Sequence, residues 1–243
     1  MTETHTPIAC VIGASGGIGS AFVEQLQNDT RYDKIVALSR SHTRFASDRV
    51  VSGHIDLTDE PSIEDAAALT AEHGTPTLII VATGLLHDEH HMPEKAMKEL
   101  NANQLAHSYA INTIGPALVG KHFLPLLPRD TQSIFAALSA RVGSVSDNQI
   151  GGWYSYRAAK AALNMVLKNF AIEIGRKHKQ AIIVGLQPGT VDTALSEPFQ
   201  SHVKAEKLFS PVFATEHLLA TLHGLSPDDT GKLYDWDGKE WQP

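Results

Sequence analysis

The 243-residue sequence predicts a single α/β domain built on an open sheet with helices packed against it. Two observations carry that expectation. Short, almost wholly apolar runs such as Ile8-Ala-Cys-Val-Ile12 and Thr77-Leu-Ile-Ile-Val-Ala82 alternate along the chain with longer stretches of helical spacing. Strands covered on both faces have this unbroken apolar character. The first run also leads straight into a glycine-rich turn and then a helical pattern, which sets a phosphate-binding loop at the carboxyl end of a strand. No internal repeat, low-complexity segment or linker divides the chain, so residues 1–243 are read as one domain.

Ile8–Ile12 is the first strand. Gly13-Ala-Ser-Gly-Gly-Ile-Gly19 follows, and Phe22, Val23 and Leu26 mark the helix behind it. The unpaired N–H groups and positive dipole end of that helix favour a phosphate, and the glycines let it approach the backbone. Gly13, Ser15, Gly16, Gly17, Ile18 and Gly19 are therefore candidate cofactor-binding residues. The spacing is G-x-x-x-G-x-G, not the commoner G-x-G-x-x-G. Gly13-Ala-Ser-Gly-Gly17 also matches the nucleophile elbow of α/β-hydrolases. That reading requires strands ahead of the nucleophile, and only seven residues precede the first strand, so Ser15 is assigned to the phosphate loop.

The second strand, Lys34–Leu38, ends in Ser39-Arg40, where an adenosine ribose would lie. An acid there would accept a 2′-hydroxyl, whereas a base suits a 2′-phosphate. Arg40, with Ser39 beside it, thus points to NADP(H), with NAD(H) possible; the alternative is an ordinary surface arginine. Val50–Ile55 is a third strand closed by Asp56-Leu57, with Asp56 either bonding the adenine or capping a turn. Glu60–His73 is helical and has Pro61 in its first turn. The fourth strand, Thr77–Ala82, ends at Thr83-Gly84. A polar loop with His87, His90 and His91 comes next; a metal site is conceivable there, but no complete ligand set stands in it. The helical stretch through Leu105, Tyr109 and Leu118 contains Asn112 close to Gly115 and Pro116, which predicts a local distortion, the alternative being a helix-surface asparagine.

Ser133–Leu138 is the fifth strand and puts Ser139 at its carboxyl end, where open α/β sheets bind ligands. Tyr156 and Lys160 are four apart in an Ala-rich helical segment, so both project from one face. A cation close to a phenol lowers its pKa from about 10 toward the range useful for acid–base catalysis. The alternative is a packed tyrosine with a lysine snorkelling over it. The helix runs to about Gly175. Ala181–Leu186 is the sixth strand, ending in Gln187-Pro-Gly-Thr-Val-Asp-Thr193, and the mixed segment 188–210 is read as a lid over a pocket. Pro211–Leu222 is a last helix and Lys232–Tyr234 a last short strand.

Composition bounds the partners. Twenty-seven acidic against 20 basic residues give a net charge of −7, with no block of Lys or Arg, which argues against nucleic acid or an anionic membrane. Met1–Pro7 is polar and lacks the pattern of a signal peptide, and no apolar run approaches a membrane span of ~18 residues. A cytoplasmic protein is expected. Cys10, the only cysteine, lies in the first apolar run and is expected to pack as a small hydrophobe.

Taken in order, Gly13-x-x-x-Gly17-x-Gly19, Asp56, Asn112, Ser139, Tyr156-x-x-x-Lys160 and Pro188-Gly189 resemble the short-chain dehydrogenase/reductase family over nearly the whole chain. Gly143–Asn148, the run from Gly151 through Arg157 and the closing Trp-Asp-Gly are most similar to its C-factor and sniffer carbonyl-reductase group. The resemblance implies a Rossmann fold with a seven-stranded parallel sheet and helices on both faces. It implies that Ser139 orients the substrate oxygen, Tyr156 is the acid–base, Lys160 lowers the tyrosine's pKa and holds the nicotinamide ribose, and Asn112 anchors a water relay. Leu57, Ala82, Thr83, Gly84, Tyr156, Lys160, Pro188, Gly189, Val191 and Thr193 join the cofactor set. A carbonyl or alcohol is the implied substrate, with a homodimer or homotetramer formed through helices Glu99–Leu124 and Tyr154–Gly175. The second reading is a cofactor-binding regulatory protein with little turnover. Three departures stand out: Val81-Ala-Thr-Gly84 replaces Asn-Asn-Ala-Gly, Gly16 stands where a basic residue is frequent, and Ala159 replaces a serine. Substrate-pocket residues are expected among Trp153, Leu195 and Phe199.

Overall fold

The computed structural model describes residues 6–243; the first five residues of the N-terminal stretch read above as no signal peptide lie outside the described residues. The chain alternates β1 (Pro7–Ile12), α1 (Gly17–Leu26), β2 (Lys34–Ser39), β3 (Val50–His54), α2 (Glu60–Glu72) and β4 (Thr75–Val81). It continues through α3 (Ala102–Tyr109), α4 (Gly115–Phe123), β5 (Ser133–Leu138), α5 (Tyr154–Ile174) and β6 (Ala181–Gln187). Then come β7 (Thr190–Val191), β8 (Leu208–Phe209), α6 (Pro211–Gly224), β9 (Leu233–Asp235) and β10 (Glu240–Trp241).

The main sheet has eight strands in the order β10-β9-β6-β5-β4-β1-β2-β3. Seven of them run parallel, and β10 pairs antiparallel with β9, which corrects the expected seven-stranded parallel sheet by one edge strand. Two residues are too few to carry an alternation pattern. What builds β10 is a turn: Gly238 takes φ +78°, and Asp235 N–H donates to Lys239 O at 2.8 Å. β7 and β8 form a separate parallel pair.

Successive strand residues face opposite layers, and each layer has its own core. On one side Ile8, Cys10 and Ile12 of β1 pack with Ile63 of α2, Phe123 of α4 and Leu163 and Leu167 of α5. On the other, Ala9 and Val11 pack with Phe22 and Leu26 of α1 and Leu218 and Leu222 of α6. Each such fully buried large side chain contributes roughly 1.5–3 kcal/mol. Helices therefore cover both faces, as expected, and Cys10 is a buried hydrophobe whose thiol is pushed up to about 12 by burial. β2 and β3 lie on one side of β1, and β4, β5 and β6 on the other. The order reverses between β1 and β4, so a crevice opens outside their carboxyl ends.

The distortion expected near Asn112 is present as a π-helical turn, Ala110–Ile114, between α3 and α4. It brings Asn112 to full burial, so the helix-surface alternative does not hold.

Candidate active site

The crevice at β1 and β4 contains a cavity of about 270 Å³. Gly13, Ser15 and Gly16 line it from the glycine loop, Ser39 and Arg40 from the end of β2, Asp56 and Leu57 from beyond β3, and Ala82, Thr83 and Gly84 from beyond β4. Sequence reading missed Ser41, Thr58 and Ile111, which also line it and carry no motif. Two glycines are obligatory. Gly13 adopts φ +91°, and a Cβ at Gly19 would collide with Gly13 O, so only bare backbone lets the loop fold on itself. Thr83 Oγ1 is buried in the crevice wall without a hydrogen-bond partner.

Arg40 is exposed at the rim. Thr58 donates to Asp56 Oδ1 from its N–H at 2.9 Å and its hydroxyl at 2.7 Å. These bonds, with a smaller contribution from the charge of Arg40, hold the Asp56 carboxyl below the usual range. One Asp56 oxygen thus caps a turn, the second of its two expected roles. Ser39 donates its hydroxyl to Ser41 O at 2.6 Å, so its proton is already committed.

A second cavity, about 250 Å³, adjoins the loop and is lined by Ser139, Tyr156, Ile18, Leu86, Val142, Trp153, Leu195 and Phe199. Pro188, Gly189, Val191 and Thr193 line the same cavity, and no residue around it carries a formal charge. Thr193 also covers the glycine loop: a Cβ at Gly17 would meet its Cγ2 at 2.8 Å. Segment 188–210 is tied down by the β7–β8 pair and by His87, whose Nε2 lies 3.2 Å from Ala194 O and whose ring meets Phe199 edge-on at 5.7 Å.

Lys160 is buried, donates from Nζ to Leu138 O at 2.8 Å and stands 5.6 Å from the centre of the Tyr156 ring. Burial lowers its pKa to about 8. Burial also holds the Tyr156 phenol above the ordinary tyrosine value, the reverse of the lowering expected from its pairing with Lys160. The reason is that the ammonium is turned toward a backbone carbonyl and desolvation outweighs its field. Asn112 Oδ1 accepts from Leu85 N–H at 2.9 Å, and its Nδ2 donates to Leu85 O at 2.7 Å and to Ser108 Oγ at 3.2 Å. Gly84 lies where these groups converge: a Cβ there would stand 3.5 Å from Asn112 Oδ1 and 3.7 Å from Lys160 Nζ.

Two buried polar side chains beside the site escaped the sequence. Glu94 is 2 % exposed and accepts from Ser155 N–H at 3.1 Å and from the Ser155 hydroxyl, while its backbone O accepts from Trp153 N–H. It anchors the start of α5 just after Gly151, Gly152 and Trp153, all with positive φ, and Trp153 at φ +50° is the one described non-glycine residue so placed. That turn swings the Trp153 ring to 5.0 Å from Phe199 and 6.4 Å from Tyr156. The other is Asn164, whose Oδ1 accepts from Ser139 Oγ at 2.6 Å. The histidine loop gathers differently: His91 and His107 flank Asp88 at 3.1 and 3.5 Å, and among the described residues no group of three or more His, Cys, Asp or Glu is disposed to hold a metal.

The family model for short chain dehydrogenase matches residues 7–204. The chain is 30% identical over 231 residues to 1-hydroxy-2-glutathionyl-2-methyl-3-butene dehydrogenase of Rhodococcus sp. (strain AD45), covering 94% of this chain and 96% of the relative. It is 28% identical over 145 residues to C-signal of Myxococcus xanthus, covering 60% and 82%. Among solved structures, NADPH-bound carbonyl reductase from chicken fatty liver superposes with a TM-score of 0.83 over 98% of this chain and 94% of that one, at 23% identity. The C-signal match bears out the narrower resemblance to the C-factor group, and the carbonyl reductase shares the fold.

Proposed function

The chain belongs to the short-chain dehydrogenase family of oxidoreductases, and on that premise we propose that it reduces a neutral aldehyde or ketone with NADPH, reversibly as an alcohol dehydrogenase. The observation that carries this reading is the cavity beside the glycine loop that Ser139 and Tyr156 both line and that no charged residue lines. A carboxylate or ammonium substrate would lose its hydration there without gaining a partner. A neutral carbonyl needs no charged partner, and Tyr156 can supply a hydrogen-bond donor to its oxygen.

The crevice fits a nicotinamide dinucleotide. Gly13, Ser15, Gly16, Gly17, Ile18 and Gly19 would hold the pyrophosphate, Arg40 a 2′-phosphate, Asp56 and Leu57 the adenine, and Ala82, Thr83 and Gly84 the ribose side, where the orphaned Thr83 hydroxyl would find a partner. Pro188, Gly189, Val191 and Thr193 would flank the nicotinamide end. When bound, the cofactor supplies the hydride to the carbonyl carbon. Tyr156 gives its proton to the carbonyl oxygen, Ser139 orients that oxygen, and Lys160 holds a positive charge behind the phenol until about pH 8. Asn112 clamps the Leu85 backbone next to Lys160 through its side-chain amide, and in this reading the water relay behind Lys160 is anchored at the same turn.

A preference for NADPH over NADH rests on Arg40 alone, since Gly16 adds no charge and the Ser39 proton is spent on Ser41. Segment 188–210, through Leu195 and Phe199, closes the substrate side and is read as a lid. Met165 and Ile172, seven apart and exposed on α5, with Ile114 exposed beyond α3, support a homodimer or homotetramer. The acidic balance supports a small-molecule partner instead of nucleic acid, and no helix among the described residues is long and apolar enough to cross a membrane. A cytoplasmic setting is part of the same proposal. A regulator that only bound cofactor would need no proton donor facing a substrate-sized cavity, which favours the enzyme. The test is NADPH consumption over a panel of neutral aliphatic and aromatic aldehydes and ketones. Turnover is expected; tight cofactor binding with no turnover across the panel would sink the reading.

A further inference from the structure

A hydroxyl has one proton, and that of Ser139 goes to Asn164 Oδ1 at 2.6 Å. The donor and acceptor residues are 4 % and 5 % exposed. Ser139 therefore presents only lone pairs to the cavity, and a carbonyl oxygen also has only lone pairs to offer. An alcohol could donate to it; a ketone could not. At the same time Asn164 Nδ2 is buried without any hydrogen-bond partner. An unsatisfied buried amide is costly, and the two ends of a carboxamide exchange places by a half-turn of nearly unchanged shape. The half-turn needs no added space, because the two ends of the amide are alike in size, and Asn164 also borders a cavity of about 440 Å³ between α5 and the β9–β10 hairpin.

We propose that Asn164 is a positioning residue whose amide, by presenting either Oδ1 or Nδ2 to Ser139, sets the direction of the serine hydroxyl and matches it to either oxidation state of the substrate. With Oδ1 toward Ser139, the serine accepts from an alcohol bound beside a Tyr156 that keeps its own proton. With Nδ2 toward it, the amide donates to Ser139 Oγ and the serine proton turns into the cavity to meet a carbonyl. Tyr156, Lys160 and Asn164 stand at successive fourth positions of α5, so one helix face carries the acid, the cation and this switch. The inference rests on the reading of Ser139 as the hydroxyl that faces the substrate oxygen.

The test uses complexes in which no hydride can move: acetophenone bound to the enzyme with NADP+, and 1-phenylethanol bound to the enzyme with NADPH, each titrated calorimetrically. In Asn164→Asp the ionised carboxylate only accepts, and it fixes the serine proton in the first orientation. Acetophenone affinity is expected to fall on the order of tenfold, the worth of one hydrogen bond, while 1-phenylethanol affinity changes less than about twofold. Acidification that protonates the introduced carboxylate should restore acetophenone binding, because a carboxylic acid can donate as the amide does. Equal losses for the two probes, or no recovery in acid, would overturn the proposal. A second measurement avoids mutation: the side-chain amide resonances of Asn164 in the wild type should differ between the two complexes, and identical resonances would overturn it too. Ser139→Ala separates the failures. If it leaves acetophenone binding unchanged, or if the wild type binds neither probe, the reading of the cavity falls and takes the inference with it; if it weakens binding but Asn164→Asp does not, only the role of Asn164 falls.

Discussion

Lys160 is a buried ammonium whose pKa of about 8 puts its titration close to neutrality, while Tyr156, held above the ordinary tyrosine value, keeps its proton throughout that range. Below about pH 8 the lysine is charged and, in the proposed reaction, supports transfer of the tyrosine proton; above it the charge is lost. The kcat/KM for carbonyl reduction should therefore fall as pH rises through about 8, and the alkaline limb belongs to Lys160, not to Tyr156. A rate that stays flat well past that pH would contradict the assignment. Arg40 poses a separate question at the rim. Charge-assisted bonds from a guanidinium to a phosphate contribute about 1.5–3 kcal/mol, so Arg40→Ala should weaken NADPH binding by about one to two orders of magnitude and leave NADH binding nearly unchanged. Titration of both cofactors against both proteins decides it, and equal losses would mean that Arg40 reads something other than the 2′-phosphate.

At the scale of elements, the proposed chemistry depends on how α5 begins. Gly151 and Gly152 take their positive φ freely, whereas Trp153 is strained, and buried Glu94 fixes the helix start that follows through Ser155. Glu94→Ala leaves two buried donors unpaired and should cost roughly 1–3 kcal/mol in denaturant unfolding, with KM raised as Trp153 and Tyr156 lose their setting. An unchanged KM would show that the turn holds itself. None of this was legible in the sequence, because Glu94 and Ser155 are 61 positions apart and no local pattern links them. The same holds for Ser139 and Asn164, brought together by sheet and helix packing. What is local was readable: the apolar runs gave the strands of the parallel sheet, the glycine spacing gave the loop, and Gly115 with Pro116 pointed to a distortion that the structure realises as a π turn. The two-residue strands β7, β8 and β10 were not, since pairing, not pattern, makes them strands. Charge direction also escaped, because a Y-x-x-x-K spacing places a lysine beside a tyrosine without saying that its Nζ turns to Leu138 O.

For the whole molecule, the exposed apolar positions Met165 and Ile172 fall on one face of α5, and a second copy related by a two-fold axis would cover them. Sedimentation at micromolar concentration should give a dimer or tetramer, and a monomer alone would count against that association. The central claim is that the crevice and the cavity work together as a reductase with Tyr156 as proton donor. It is tested most directly by single-turnover reduction in Tyr156→Phe, a change that removes the transferable proton and little else. The rate should drop by at least about a hundredfold while NADPH affinity stays as in the wild type. A Tyr156→Phe enzyme that kept a substantial fraction of the wild-type rate would contradict it.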